Sequence, residues 1–420
     1  MTQTAHGELD AAYRNDARRV YATLIRLLGG FQAAEEGLHE AFLAAAASWP
    51  QNGIPENPYA WLVSVGRNRV VDRWRRDARV RGAWTDMPVQ ADWTDDPDPD
   101  AIRDDDLRLI FICCHPALSP DGRAALTLRE VCGLTTEEIA RAFLTPAPTI
   151  AQRIVRAKAK IRDLAIPYDV PGRADWPVRL DSVLQVIYLV FNEGHTATDG
   201  PDMIRTDLCR EAIRLGRLLN DLVDDAEALG LLALMLLHDA RRVTRTDVAG
   251  DFVPLQEQDR IRWDRALLAE AQALIARALT HRRAGPYILQ AAIAELHTSA
   301  PSLAATDWQQ IVGLYDTLMR VAPSPVVALN RAVAIGQRDG ADAGLAAVEA
   351  AMAGGGLDAY HLAFTAMAGL HQQSGRIAKA IAFYQQGLNL AVRPTDRRFL
   401  ERRIADLSNA AGRLSDPEPH

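Results

Sequence analysis

The chain has 420 residues, of which 48% are hydrophobic and 24% are charged, and its formal net charge at pH 7 is −7. This length allows two or three domains, each with its own core. No apolar run reaches the roughly 18 residues that a membrane-spanning helix needs, and residues 1–10 lack the apolar core of a signal peptide, so we expect a cytoplasmic protein without a membrane segment.

Four cysteines are too few for a disulfide framework in a chain of this length. Cys113 and Cys114 are adjacent, while Cys132 and Cys209 lie in apolar helical surroundings, so we expect four buried free thiols. His115 follows the adjacent pair, but no second pair of ligands at zinc spacing comes after it. We therefore predict no metal and no other cofactor.

Nearly the whole sequence has the pattern of helices. Ala, Leu, Arg and Glu are frequent, apolar residues recur every three or four positions, and no stretch alternates as a β-strand does. We predict an all-α protein with helical blocks at 10–81 and 107–165, an acidic linker at 82–106, and a longer helical array at 171–407.

The first block combines an acidic helix with an arginine-rich one. The acidic helix runs from about Ala33 to Phe42, is amphipathic, and is unsuited to DNA, so we expect it to bind a protein. Seven arginines then fall within residues 67–81, and this density in a negatively charged chain indicates a nucleic-acid backbone as partner. Trp61, near the start of the second helix, is either a stacking platform for unpaired bases or an ordinary core residue.

The segment between the two blocks is acidic. Residues 82–106 contain nine aspartates and three prolines, which predicts an extended linker. At roughly 3.3 Å per residue this linker would reach about 80 Å.

The second block has the pattern of a helix-turn-helix. Thr135 and Glu138 have capping-box spacing, and the prolines at 146 and 148 indicate a turn before the next helix. That helix places one apolar stripe inward, at Ile150, Ile154, Ala157 and Ile161. Glutamine and arginine can read base edges and lysine can hold phosphate, so the polar front predicts DNA binding rather than a merely solvated face. The front comprises Thr149, Gln152, Arg153, Arg156 and Lys160.

The final third contains an internal repeat. Gly340 and Leu345 correspond to Gly375 and Ala380 at an offset of 35 residues. Ala380-x3-Tyr384-x2-Gly387 resembles a tetratricopeptide unit. Stacked helix pairs of this kind present concave surfaces to partners.

Taken in order, these elements resemble the extracytoplasmic-function (ECF) class of bacterial RNA polymerase sigma factors, of the sigma-70 family. The resemblance rests on the Ala-Glu-Glu-x-x-His-Glu-Ala-Phe helix, on the run from Asn57-Pro58 to Trp74-Arg75-Arg76, on the acidic linker and on the helix-turn-helix, and it covers residues 10–165. The remainder, including Tyr188-Leu-Val-Phe-Asn-Glu-Gly-His195, is similar to the subgroup that carries a C-terminal tetratricopeptide-like extension.

The resemblance implies partners and site residues. Core RNA polymerase would bind through the clamp of its β′ subunit to Glu35, Glu36, Glu40 and Phe42. Promoter DNA would be held at the −10 element by Asn57, Trp61, Arg67, Asn68, Arg69, Arg73, Arg75 and Arg76. The −35 element would be read by Thr149, Gln152, Arg153, Arg156 and Lys160. The protein would direct promoter-specific initiation without chemistry of its own, and a regulatory protein on the C-terminal extension is a further expected partner.

Two other interpretations stay open at this point. One is a helix-turn-helix regulator with a tetratricopeptide-type interaction domain that does not bind polymerase. The other is an enzyme built around Asn192-Glu193-Gly194-His195, in which a carboxylate and an imidazole could exchange protons. Helix capping explains those residues more simply, and no phosphate loop, nucleophile elbow or His-Glu-x-x-His motif accompanies them, so we predict that the chain is not an enzyme.

Overall fold

Helices make up the regular secondary structure of this protein. The computed structural model describes residues 16–81, 99–143, 145–168, 175–195, 206–248 and 250–415. Within these ranges the chain forms α-helices, short 3-10 turns and an isolated β-bridge between Thr246 and Phe252, but no β-strand. The predicted all-α class is confirmed. Contacts divide the chain into two units, Met1–Val190 and Phe191–His420.

Unit 1, Met1–Val190, contains the helices that the sequence placed in the first two blocks. α1 covers 16–28, and the helices that follow it are α2 (Phe31–Asn52), α3 (Pro58–Arg81), α4 (Pro99–Cys113), α5 (Pro120–Glu130), α6 (Thr136–Ala142), α7 (Ala147–Asp163) and most of α8 (Trp176–His195). α2 packs on α3, and both α5 and α6 pack on α7. All four cysteines of the chain are free and buried, as predicted.

Part of the segment that we predicted to be an extended linker is helical. α4 begins at Pro99, because proline lacks the N–H that a first helical turn leaves unpaired. Asp105 is 2% exposed. It accepts hydrogen bonds from Thr23 (2.7 Å), Arg26 (2.6 Å) and Arg108 (2.7 Å). The prediction was therefore wrong for residues 99–106, and its remainder, 82–98, lies outside the described residues.

The C-terminal array does not separate from the sigma-like part at residue 171, where the sequence placed its start. The boundary between the units falls inside α8. The first turns of α8 pack within unit 1, since the Trp176 and Phe111 ring centroids are 5.0 Å apart and Arg179 donates to the Phe111 carbonyl at 2.8 Å. The amino-acid composition changes near residue 171, but the packing of unit 1 continues past this point into the first turns of α8.

Unit 2, Phe191–His420, is an array of helices. They are α9 (Thr206–Leu222), α10 (Ala226–Asp239), α11 (Arg265–Thr280), α12 (Pro286–Ser299), α13 (Trp308–Val321), α14 (Pro325–Asp339), α15 (Ala341–Ala353), α16 (His361–Gln373), α17 (Ile377–Leu390) and α18 (Pro394–Ser415). α10 is buried along nearly its whole length and packs on α9, α11 and α12. Within the described ranges, the chain forms no helix with the length and apolarity needed to cross a membrane.

Two helix hairpins correspond to the repeat seen in the sequence. α14 packs on α15, and α16 packs on α17. Gly340 and Gly375 occupy the two turns with φ of 100° and 73°, a conformation that glycine adopts without strain. Ala380, Tyr384 and Gly387 form the buried side of α17, as the spacing predicts.

A segment between α10 and α11 packs on the last helix. This segment, residues 242–262, contains three 3-10 turns: Arg242–Thr244, Leu255–Glu257 and Arg260–Arg262. Among the described residues, four ion pairs connect it to α18: Arg398 with Asp251 (2.5 Å), Arg402 with Asp247 (3.2 Å) and with Asp251 (3.5 Å), and Arg403 with Glu257.

Candidate nucleic-acid and polymerase interfaces

The backbones of α2 and α3 approach each other closely at two glycines. A Cβ added to Gly66 would lie 2.6 Å from the carbonyl oxygen of Gly37, a distance that no side chain tolerates. Leu62 and Val63 of α3, about one turn before Gly66, are fully buried. The close crossing brings the polar faces of the two helices into contact.

Acids of α2 pair with arginines of α3. Arg73 donates to Glu36 at 3.2 Å and to Glu40 at 2.9 Å, and Arg69 donates to Glu40 at 3.2 Å. The predicted polymerase-binding residues and the predicted −10 residues therefore lie side by side. The side chains of Arg69 and Arg73 are 54% and 42% exposed, so these ion pairs stabilise the fold little and can be exchanged for other partners.

Arginines of α3 surround a depression of about 640 Å³. It contains four of the predicted −10 residues together with Arg79, which the sequence analysis counted in the arginine run but not among the contacts. Five guanidinium groups outnumber the two carboxylates in its wall, which leaves a positively charged surface. The lining residues are Glu40, Arg69, Asp72, Arg73, Arg75, Arg76 and Arg79.

A second depression, of about 520 Å³, shares Arg69 and Asp72 with the first and is also lined by Trp61 and Asn68. Trp61 is half-buried, with its ring centroid 5.6 Å from that of Trp49. Trp61 therefore packs partly inward and also lines a surface depression, and its stacking on an unpaired base stays a prediction.

The remaining predicted −10 residues differ in their surroundings. The side-chain oxygen of Asn57 accepts a hydrogen bond from Ala60 N at 3.1 Å and so caps α3. Arg67 is half-buried, whereas Arg75 and Arg76 are exposed. The resemblance implies a DNA contact for Asn57, but the side chain of Asn57 already caps the first turn of α3.

The second candidate surface is a helix-turn-helix formed by α6 and α7. The predicted capping box is present, because Thr135 N donates to the Glu138 carboxylate at 2.7 Å and Glu138 N donates to Thr135 Oγ1 at 3.1 Å. α7 begins at Ala147, with Pro148 in its first turn. Its buried residues are those predicted from the 3.6-residue period: Ile150, Ile154, Ala157 and Ile161.

On the opposite face of α7, four of the five predicted −35 residues are exposed. They are Thr149, Gln152, Arg156 and Lys160. Arg153 is half-buried and lies 3.0 Å from the carboxylate of Asp121 in α5. Arg153 therefore already has an anionic partner, and Arg156 presents the more accessible guanidinium.

Lys158 connects the two candidate surfaces, and the sequence analysis did not single it out. Its ammonium lies 2.6 Å from Glu35 in α2 and 3.0 Å from Glu130 in α5, and 5.2 Å from the Phe31 ring centroid. Burial lowers the pKa of Lys158, but the two carboxylates outweigh burial and the pKa is raised overall. The helical pattern could not reveal this role because both acids are distant in the sequence.

The residues considered for an enzyme centre lie in a buried basic cluster of unit 2. His195 stacks on Phe191, with ring centroids 5.1 Å apart, and its ring centroid is 4.9 Å from that of His238. Arg245 donates to the His195 carbonyl at 3.0 Å. Burial and neighbouring cations lower the pKa of both histidines, so they are neutral at pH 7. A proton-transfer role at neutral pH needs a pKa near 7, which neither imidazole has.

Comparisons with known proteins cover nearly the whole chain. Family models match sigma-70 region 2 at residues 12–80, sigma-70 region 4 at residues 108–161, and a family of unknown function, DUF6596, at residues 179–279. An uncharacterised protein of Rhizobium meliloti is 40% identical over 429 aligned residues, which span all of both chains.

Named relatives align with the first two fifths. The ECF RNA polymerase sigma factor SigE of Mycolicibacterium smegmatis is 31% identical over 38% of this chain, and the aligned part is 63% of SigE. SigK of Mycobacterium ulcerans is 28% identical over 39% of this chain and 90% of SigK. The chain belongs to the ECF sigma factors.

In this ECF sigma factor, the match to region 2 covers α2 and all but the last residue of α3, and the match to region 4 covers α5, α6 and all but the last two residues of α7. Core RNA polymerase and promoter DNA are the partners of such regions, and sigma factors act in initiation without catalysing a reaction. The DUF6596 match begins inside α8 and ends inside α11, so the extension comprises this region and the helix hairpins that follow it.

Proposed function

We propose that this sigma factor opens and reads its promoters through the two surfaces described above, and that unit 2 modulates this activity. The observation that carries the proposal is the arginine-lined depression on α3, next to a second one that contains Trp61 and Asn68. A cationic groove beside an aromatic ring and an amide suits a single strand whose bases are unstacked.

At the −10 element, the arginines of α3 contact phosphates of the non-template strand. Arg69, Arg73, Arg75 and Arg76 supply salt-dependent affinity, because each phosphate contact releases counterions. Trp61 stacks on an unpaired base and Asn68 donates to its edge. Asn57 contributes by fixing the start of α3 rather than through a base contact.

At the −35 element, α7 enters the major groove. Gln152 and Arg156 read base edges, while Thr149 and Lys160 contact phosphates. Arg153 joins them when DNA phosphate competes with Asp121 for its guanidinium.

Core polymerase binds the face of α2 that carries Glu35, Glu36, Glu40 and Phe42. In the free chain, Glu36 and Glu40 pair with arginines of α3, and Glu35 pairs with Lys158. We propose that polymerase takes over these acids and so releases cations for DNA.

Unit 2 acts as a covalently attached regulator. A tethered domain stays at high effective concentration, so it can take the place of a separate inhibitor or activator. The unit boundary inside α8 supports this role, since one continuous helix contributes to both units. A regulatory protein that binds the helix hairpins would control transcription through unit 2.

Run-off transcription with purified core polymerase tests the proposal. The full chain, mixed with core enzyme and genomic fragments, should produce discrete transcripts whose start sites share −10 and −35 elements. Core enzyme alone is the control. A chain that binds these fragments but never directs a transcript is instead the helix-turn-helix regulator, and a pull-down of core polymerase separates the two functions directly.

The role of unit 2 is tested by truncation. The cut belongs after Val190, because ending the chain before α8 would remove Trp176 and Arg179 from Phe111 and expose part of the core of unit 1. We expect the truncated chain to transcribe at a level different from that of the full chain. Equal transcription by both, under every condition in which the full chain is active, contradicts modulation by unit 2.

A further inference from the structure

We infer that a cavity in unit 2 binds a small organic anion, with its charged group held by Arg245 and Arg393 and an apolar body packed against α16 and α18. The cavity has a volume of about 650 Å³. This volume falls within the range of small-molecule sites in proteins. The inference concerns unit 2 alone and can be tested whether or not the proposed function holds.

The cavity is closed on one side by the segment at 242–262. Phe252, Pro254 and Gln256 of this segment form one wall, and residues of α14, α16, α17 and α18 form the others. The segment is held to α18 by the ion pairs described above and by an edge contact between the Phe252 and Phe399 rings, whose centroids are 5.7 Å apart. The segment and the helices together therefore enclose a pocket. A pocket of this kind suits a small molecule better than an extended peptide.

Its charges favour an anion. Three arginines and one carboxylate line the cavity: Arg245, Arg393, Arg403 and Asp396. Arg393 pairs with Asp396 at 2.8 Å and Arg403 pairs with Glu257. Arg245 is 8% exposed, and no ion pair with a carboxylate is found for it in the described part of the chain. Buried charges in proteins are normally paired, so this guanidinium indicates an anionic partner.

The groups around Arg245 do not supply that negative charge. His195 accepts from Arg245 through its carbonyl, and its imidazole lies against the same guanidinium. Burial is the main cause that lowers the pKa of Arg245 to about 10; Arg241 and Arg393 lower it further, and the Cys209 thiol acts in the opposite direction. At pH 7 the guanidinium remains charged. A carboxylate, sulfonate or phosphate placed between Arg245 and Arg393 would offset this repulsion.

The rest of the cavity supplies an apolar and aromatic surface. Leu362, Ala366 and Leu370 come from α16, and Phe399 and Leu400 come from α18. These side chains suit an aliphatic or aromatic body of the ligand. The side-chain amides of Gln256, Gln337, Gln372 and Gln373 can bond polar substituents.

Fluorescence titration of the full chain with 1-anilinonaphthalene-8-sulfonate tests the inference. This probe carries one sulfonate on an aromatic body, and N-phenyl-1-naphthylamine is its neutral counterpart. We expect one saturable site per chain for the anionic probe and binding of the neutral probe that is roughly tenfold weaker or more. Displacement by 1-naphthylacetate or by 1-naphthyl phosphate would show which anionic group is preferred.

Gly369→Phe is the blocking variant. Gly369 lies within α16 and lines the cavity, and a Cβ at this position would meet no atom within 4 Å, so a ring can fill the cavity without a backbone clash. Gly313→Phe is the matched control, because Gly313 is also helical, equally unobstructed and outside the cavity wall. Gly369→Phe should abolish saturable binding of the anionic probe, and Gly313→Phe should retain it.

Arg393→Gln separates charge from shape and keeps the test decisive if Gly369→Phe does not fold. Arg393→Gln should weaken binding of the anionic probe roughly tenfold and leave binding of the neutral probe unchanged. Equal binding of the two probes to the wild-type chain would overturn the inference. So would anionic-probe binding that survives Gly369→Phe in a folded protein, or that is unaffected by Arg393→Gln.

Discussion

Arginine side chains differ in this protein by what they contact. Arg69 and Arg73 donate to glutamates of the neighbouring helix, Arg153 lies against Asp121, and Arg156 is exposed with the polar front of α7. An arginine that already pairs with a carboxylate must lose that partner to bind phosphate, so the exposed ones contribute more net affinity. Within one helix, we therefore expect substitution of an exposed arginine to weaken DNA binding more than substitution of a paired one.

Arg156→Ala should weaken transcription from promoters with an intact −35 element by about 1–3 kcal/mol, since it removes a base or phosphate contact from the groove. Arg153→Ala should cost less, because the wild-type side chain is shared with Asp121. The measurement is run-off transcription over a range of sigma factor concentrations.

Arg162→Ala is the control for this series. Arg162 is exposed at the end of the same helix, next to Asp163, and outside the predicted front. Binding to core polymerase should be unchanged in all three variants. If Arg156→Ala initiates as well as wild type, α7 does not read the −35 element as proposed.

At the scale of secondary-structure elements, helical periodicity could be predicted from the sequence, whereas contacts between residues far apart in the sequence could not. The inward stripe of α7, the capping box at Thr135 and the hairpin turns at Gly340 and Gly375 follow from local spacing. The start of α4 was missed because an aspartate-rich stretch with proline is typical of a linker as well as of a first helical turn. Asp105 finds its partners on α1, which no local pattern could indicate.

The same distinction applies to the candidate surfaces. Sequence spacing grouped the arginines of α3, the acids of α2 and the polar front of α7, but their mutual pairing depends on packing. Neither the ion pair between Lys158 and Glu35 nor the capping role of Asn57 follows from residue type alone. The cavity of unit 2 was likewise invisible, because its walls come from five separate parts of the chain.

Gly66→Ala tests the close crossing of α2 and α3. An alanine in an unobstructed helix interior is normally stabilising by about 0.5–1 kcal/mol relative to glycine. Here the added methyl would meet the Gly37 carbonyl, so we expect a loss of about 1–3 kcal/mol instead. Urea denaturation followed by tryptophan fluorescence measures the change, and a gain in stability would contradict the described crossing.

The buried histidines of α8, α10 and α12 predict a dependence of stability on pH. Burial and neighbouring arginines lower the pKa of His297 to about 4, and burial lowers those of His195 and His238 as well. Below about pH 6.5 the unfolded chain binds protons that the folded histidines do not. Stability is therefore greatest above about pH 6.5 and falls as the pH is lowered; for His297 the loss occurs between about pH 6.5 and 4 and is about 2 kcal/mol at pH 5.

Thermal unfolding at about pH 7 and about pH 5 measures this effect. His297→Phe should reduce the loss of stability on acidification, because one protonatable ring is removed while packing on Trp308 is kept. His39→Gln is the control, since His39 is exposed on α2. A His297→Phe protein with an unchanged pH dependence would show that this ring does not contribute.

At the scale of the whole molecule, side-chain contacts connect the region 2 helices with the region 4 helices in the free chain. Tyr21 donates to Glu130 at 2.6 Å, Lys158 lies 2.6 Å from Glu35, and the Phe31 and Tyr168 rings make an edge contact at 5.8 Å. Promoter elements two helical turns apart are separated by about 70 Å. These contacts within unit 1 must therefore open when the −10 and −35 elements are bound together.

Energy transfer between labels at Leu43→Cys and Arg162→Cys measures this opening, because neither residue belongs to the proposed DNA contacts. Both positions are exposed, and the native thiols are buried, so labelling is selective. Transfer should be efficient in the free chain and should fall when core polymerase and promoter DNA are added. A control pair at Leu43→Cys and Asp77→Cys, on the packed helices α2 and α3, should change little. Unchanged transfer in a transcribing complex would contradict the proposed separation.

The buried thiols also bear on the conditions that this sigma factor withstands. Burial raises the pKa of Cys114 to about 11 and raises that of Cys113 as well. At neutral pH such a thiol is ionised in roughly one molecule in ten thousand, and peroxides attack the ionised form. We therefore expect the folded chain to keep its activity during oxidative stress. If oxidants control transcription from its promoters, a different molecule must sense them.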